Sequence, residues 1–163
     1  MADQDTKIIR YTERLYKYRL VDPVQVQTNI FGIDGKLDPW LEIRADGMLF
    51  IAARYLWDGP SNPAIDSVAF MRPSLVHDAL CDLMDARILD EKIHWGPAVD
   101  LIVKHLKEDQ EVYVNTLSTW LRPFARAVAT ARRQWVSLGL RTWGKIKPDY
   151  DGTTEGEIYS APV

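Results

Sequence analysis

Trp40-Leu41-Glu42-Ile43-Arg44-Ala45-Asp46-Gly47-Met48-Leu49-Phe50-Ile51 holds two short apolar runs joined by Asp46-Gly47. An Asp-Gly pair adopts the positive-φ turn that matches the twist of two antiparallel strands, so this stretch reads as a β-hairpin. Upstream, Val24-Gln25-Val26-Gln27 alternates strictly and Leu15 to Leu20 alternates moderately. These runs add two more strands and give the amino-terminal half a small antiparallel sheet. Downstream the period changes. Leu75, Ala79 and Leu83, with Val76, Leu80 and Met84, fall on one face of a helix whose first turn tolerates Pro73. A second helix is expected after Gly96-Pro97, with Val99, Ile102, Val103 and Leu106 apolar and Asp100, Lys104, Lys107 and Glu108 polar. The expected fold is α+β: a small antiparallel sheet packed on two helices, followed by a long basic carboxyl-terminal helix and a tail.

That last helix rests on Leu117, Leu121, Phe124, Val128, Ala131, Trp135 and Leu138, which recur every three or four residues. A long helix presents such a stripe to one partner surface, and Pro123 either kinks it or marks its start. From Pro148 onward the composition turns polar, through Asp151-Gly152-Thr153-Thr154-Glu155-Gly156. The organisation expected is therefore a core domain over residues 1–108, a basic helical extension over 109–147 and a flexible tail over 148–163.

Composition narrows the class. A chain of 163 residues that is 47% apolar is sized for one hydrophobic core. The single cysteine forbids an internal disulfide and a multi-cysteine zinc cluster, and fits a reducing compartment. The opening Met1-Ala2-Asp3-Gln4-Asp5-Thr6 has neither the basic nor the apolar region of a signal peptide, and no run is long enough to span a membrane. Charge is uneven. Between Val112 and Pro148 there is no acidic residue, but there are Arg122, Arg126, Arg132, Arg133, Arg141, Lys145 and Lys147. That segment carries +7, so a net charge of -3 leaves -10 for the rest. Asymmetry of this kind speaks to partners. Arg122, Arg126, Arg133, Trp135 and Trp143 are the candidate partner-binding residues, with other proteins or a second copy favoured over nucleic acid. An acidic chain repels phosphate at long range, and the cations have the acidic remainder to face.

The densest unusual chemistry lies in Trp57-Asp58-Gly59-Pro60-Ser61-Asn62-Pro63-Ala64-Ile65-Asp66, with His77-Asp78 following on the first helix. One glycine and two prolines fix a non-repeating backbone that presents Asp58, Ser61 and Asp66 from a stiff loop. The run W-D-G-P-S-x-P-x-x-D, then Met71-Arg72-Pro73-Ser74-Leu75-Val76-His77-Asp78-Ala79-Leu80, resembles a domain family of unknown function found in bacteriophage and prophage genomes. The likeness covers roughly residues 15 to 106. It departs at Cys81, where an aromatic is usual, and beyond about residue 108. The resemblance implies a phage origin and a place in the host bacterial cytoplasm or the virion. It implies no settled activity.

Two functions of different class fit these residues. In the first, the loop and the His-Asp pair brace the fold, and the carboxyl-terminal helix docks other phage proteins, as in a virion-associated or accessory protein. In the second, Asp58, His77 and Asp78 are catalytic and, with Asp100 on the second helix, gather a divalent metal that activates water in a small cell-wall or nucleotide hydrolase. A neutral imidazole can take a proton or donate a lone pair near neutral pH. An all-helical His-Asp phosphohydrolase is excluded, because no histidine precedes His77 and the amino-terminal half reads as strand. Other motifs are weaker. His77 and Cys81 share a helix face but are too few for zinc, Ser61 lacks the glycine that completes a nucleophile elbow, and no phosphate-cradling glycine loop occurs.

Overall fold

The computed structural model describes residues 9–14, 17–59, 68–143 and 158–161. In chain order the elements are β1 (Ile9–Arg14), β2 (Lys17–Leu20), β3 (Val24–Gln27), β4 (Gly35–Leu37), β5 (Leu41–Ile43), β6 (Met48–Ile51) and β7 (Leu56–Trp57). They are followed by α1 (Val68–Asp85), α2 (Glu91–Thr116), α3 (Arg122–Trp143) and β8 (Ile158–Ala161). The architecture is α+β, with antiparallel strands gathered in the amino-terminal half and three helices after them.

The hairpin of Trp40 to Ile51 forms as its sequence dictates. β5 pairs with β6 in the register Leu41↔Ile51, Glu42↔Phe50 and Ile43↔Leu49, and β3 lies on the other side of β6 with Val26 opposite Leu49. At the turn the Gly47 N–H donates to the Arg44 carbonyl at 2.8 Å, and the Asp46 carboxylate accepts the Met48 N–H at 3.0 Å. Gly47 has φ +81°, and an added Cβ would come within 2.9 Å of the Ile30 carbonyl oxygen. Only glycine meets both demands. Val24, Val26, Leu41, Ile43, Leu49 and Ile51 are buried in the core.

Instead of one sheet there are two, in the orders β3-β6-β5-β4 and β7-β2-β1-β8. The cause is at Leu20. Its N–H donates to the Tyr55 carbonyl and its carbonyl accepts from the Arg54 N–H, so β2 leaves the path of β3 and pairs with β7. The residues expected as a tail hold β8, which pairs with β1 in the register Ile9↔Ala161 to Thr12↔Ile158. Ile158-Tyr159-Ser160-Ala161 is apolar and β-prone enough to complete a sheet edge, which corrects the expectation for that part of the tail.

α1 buries Leu75, Val76, Ala79, Leu80, Leu83 and Met84 in one core with residues of both sheets and with Ala98 and Leu101 of α2. Each fully buried leucine stabilises the fold by ~1.5–3 kcal/mol. Both helices start earlier than their prolines indicate. α1 begins at Val68, so Pro73 lies inside it, and Phe70, Met71 and Arg72 ahead of it are buried. α2 is started by Asp90, whose carboxylate accepts the Lys92 N–H at 2.8 Å, and Pro97 lies in its second turn. It then runs to Thr116 without a break at residue 108, so the boundary expected there cuts a continuous helix.

Candidate functional site

Ser74, Asp78 and Asp82 stand one turn apart on α1, and each receives a group from the β7 segment. The Trp57 indole N–H donates to Ser74 Oγ at 3.2 Å, the Asp58 backbone N–H to Asp78 Oδ2 at 3.1 Å, and the Tyr55 hydroxyl to Asp82 Oδ2 at 2.6 Å. Three rungs at the helical period tie the strand to the helix. Gly59 follows at φ +76°, where an added Cβ would overlap the Tyr18 ring, so the backbone passes hard against β2. Tyr18 itself stacks at a tilt on Trp57, with centroids 5.4 Å apart. Ser61 and Asp66 lie outside the described residues.

His77 and Asp78 are brought together, and Asp58 joins them through its backbone. His77 Nδ1 lies 3.3 Å from Asp78 Oδ1, and Cys81 Sγ lies 3.8 Å from Nε2 and 3.9 Å from Nδ1. The Trp95 ring of α2 meets the imidazole edge-on, with centroids 5.6 Å apart. Burial opposes charge on His77, but the Asp78 carboxylate and the Cys81 sulfur outweigh it and raise the imidazole to about 9. At neutral pH the ring is therefore a cation held by Asp78. It has no lone pair with which to take a proton. Nearby, burial and then the Asp78 charge push the Tyr55 phenol well above its ordinary range, so it donates to Asp82 as a neutral hydroxyl.

Asp100 goes elsewhere. Its Oδ1 pairs with Arg141 of α3 at 2.5 Å, on a side chain that is largely exposed. Among the described residues no three His, Cys, Asp or Glu side chains are placed to hold a metal ion. The expected quartet is thus divided: Asp58, His77 and Asp78 cluster at the β7–α1 junction, and Asp100 serves the α2–α3 junction.

A second polar cluster lies between α1 and α2, and the sequence reading missed it. The Arg72 side chain, 3% exposed, donates to Asp109 Oδ1 at 2.7 Å and Oδ2 at 3.3 Å, and to Glu108 at 2.8 Å. Burial pushes Asp109 up to about 6, against the pull of the Arg72 guanidinium. One turn earlier, His105 is buried with no hydrogen-bond partner at Nδ1 among the described residues, and burial, Arg72 and Lys104 hold it down to about 3. The available signal was an arginine amid apolar neighbours on α1, four residues after Val68.

The basic carboxyl-terminal helix turns its cations toward its own chain. Arg126 pairs with Glu111 at 3.2 Å, Arg141 with Asp100, and Arg133 donates to Gln110 Oε1 at 2.8 Å. Arg122 donates to the carbonyls of Leu117 and Asn115, and the Arg132 guanidinium lies 4.0 Å over the Phe70 ring. All five arginines of α3 are engaged within the chain, chiefly by α2. Val136 and Leu140 accompany them inward onto Phe70, Ile102 and Leu106. Phe124 (72% exposed), Val128, Trp135 (49%) and Leu138 point out to solvent. Of the residues expected to bind a partner, Arg122, Arg126 and Arg133 are thus occupied internally and Trp135 is exposed; the Trp143 side chain lies outside the described set. No described helix is long and apolar enough to cross a membrane. Comparisons of the chain with known protein families, curated proteins and solved structures returned no match.

Proposed function

We propose that this chain works by protein–protein contact, as an accessory or virion-associated protein of the phage class that its Trp57 to Leu80 sequence resembles. The observation that carries this reading is the outward face of α3, where Phe124, Val128, Trp135 and Leu138 are exposed together along one helix. Large apolar side chains grouped on one surface mark an interaction site. The β7–α1 cluster supports the same reading from the other side. Ser74, Asp78 and Asp82 spend their polar atoms on holding β7, and His77 is paired as a cation.

Photo-crosslinking tests the proposal. With a benzophenone amino acid in place of Trp135, irradiation in the producing cell is expected to give discrete adducts; the same group in place of exposed Lys92 on α2 is the control. Adducts from position 135 alone sustain the reading. A monomer-sized product from both positions, or equal diffuse labelling from both, overturns it.

A further inference from the structure

We infer that the groove between α2 and α3 receives an acidic segment of the partner protein, one in which two carboxylates flank an apolar side chain. This gives the partner of the interaction reading above its chemistry, and it rests on that reading. The groove has a volume of about 400 Å³, and Leu138 of the exposed face forms part of its wall. Arg133 and Arg141 also line it, about two turns apart on α3, which is ~12 Å along the helix at ~1.5 Å per residue. Arg133 meets Gln110 and Arg141 meets Asp100, so the two helices run antiparallel and Val103 of α2 falls with Leu138 between the arginines. The lining is thus cationic, apolar and cationic in order.

Its polar atoms favour an anion. Among the described residues that line the groove none is acidic. Arg133 Nη1 donates to the Gln110 amide oxygen at 2.8 Å and Nη2 to the Thr130 hydroxyl at 2.9 Å, and neither neutral acceptor matches its charge. Ser137 Oγ accepts from Arg141 Nε at 3.4 Å. A hydroxyl that accepts from an arginine keeps its own proton to donate. Asp100 pairs with Arg141 at 2.5 Å, but the two side chains are 63% and 49% exposed, and a pair so screened by water gives way readily to a competing carboxylate. An extended chain advances ~3.3 Å per residue and turns alternate side chains to one face, so Glu-x-Leu-x-Glu lays its carboxylates ~13 Å apart with the leucine between them. That is the order and the span of Arg133, Leu138 with Val103, and Arg141. A nucleic-acid strand carries a phosphate on every nucleotide, and one of them would fall on the apolar pair.

The probe is acetyl-Glu-Ser-Leu-Ser-Glu-amide, titrated into the isotope-labelled full chain and followed by its amide chemical shifts. Saturable shifts are expected at Val103, Thr130, Ser137 and Leu138. Arg133→Gln should weaken binding ~10-fold or more, the worth of a hydrogen bond to a charged group. Asp100→Asn should strengthen it ~2–5-fold by removing the carboxylate that competes for Arg141, whereas Glu91→Gln, an exposed acid at the start of α2, should leave it unchanged. The isomer acetyl-Glu-Leu-Ser-Ser-Glu-amide turns its leucine to the opposite face and should bind ~10-fold more weakly. Should Arg133→Gln unfold the chain, Asp100→Asn and the isomer decide. No saturable shift at millimolar peptide, equal binding of the two peptides, or binding that Asp100→Asn fails to strengthen overturns the inference, as does an oligothymidylate that occupies the groove more tightly than the peptide. If the benzophenone at position 135 captures a protein while the groove takes no peptide, the interaction reading stands and the acidic segment alone falls.

Discussion

α1 and α3 both pack against α2 and dispose of their side chains in opposite ways. α1 turns Leu75, Val76, Ala79, Leu80 and Leu83 inward, and its one buried arginine is neutralised by Asp109 and Glu108. α3 docks largely through guanidinium groups and leaves Phe124, Val128, Trp135 and Leu138 in water. For α1 the solvent is on the polar side, as the hydrophobic effect requires of a finished surface. For α3 part of the apolar face is exposed. One face of that helix attaches it to the chain, and the opposite face is the one proposed above for interaction.

The sharpest way to break this contrast is at Arg72. Arg72→Ala leaves the Asp109 carboxylate buried without its partner, and a buried ion pair broken on one side costs ~3–5 kcal/mol. A urea midpoint that barely moves would show that the α1–α2 junction is not held as described. A smaller effect is expected from Asp78→Ala, which removes the acceptor of the Asp58 N–H and the counter-ion of His77. A loss of ~1–3 kcal/mol should follow.

The same variant should lower the His77 pKa from about 9, read by NMR titration. In the wild type that raised pKa makes a stabilising contribution that is complete below the ordinary 6.5 and is lost as pH rises through about 9. In the Asp78 variant the contribution should be smaller and its loss complete at lower pH. His105 has the opposite sign: its depressed pKa gives stability that is present above 6.5 and lost as pH falls toward about 3. The smallest effect belongs to α3. Phe124→Ser with Val128→Ser should change the unfolding free energy of the monomer by less than ~0.5 kcal/mol, because surface substitutions away from buried features are nearly neutral. A large destabilisation measured at dilution would mean that these side chains pack within the single chain.

Much of this was legible in advance, for local reasons. Asp46-Gly47 and the alternation of Val24 to Gln27 fix a hairpin and a strand through contacts a few residues apart, and the inward face of α1 follows from a repeat of three and four. The stripe of α3 was visible by the same rule. That the cations would face the acidic remainder followed from the charge asymmetry, and what could not be seen was which carboxylates they would meet. That choice rests on Glu111 and Asp100 meeting Arg126 and Arg141 across 15 and 41 positions of sequence. The early start of α1 was hidden because Pro73 argues locally for a first turn, and burial of Phe70 to Arg72 overrides it. At the candidate site the His77–Asp78 contact follows from adjacency, while the capture of Asp58, Trp57 and Tyr55 by three rungs of α1 depends on how β7 returns. Asp100 was misplaced because the polar edge of α2 faces two neighbours, and only packing decides between them.

The pairing of β1 with β8 has a consequence for synthesis. Ile9 reaches its neighbour Ala161 only after every element between them has been made. While the ribosome works, the hairpin and α1 can already assemble, but one side of β1 stays open as an unsatisfied edge. The nascent chain is then most exposed to mispairing with its neighbours on a polysome, and the arrival of β8 ends that exposure.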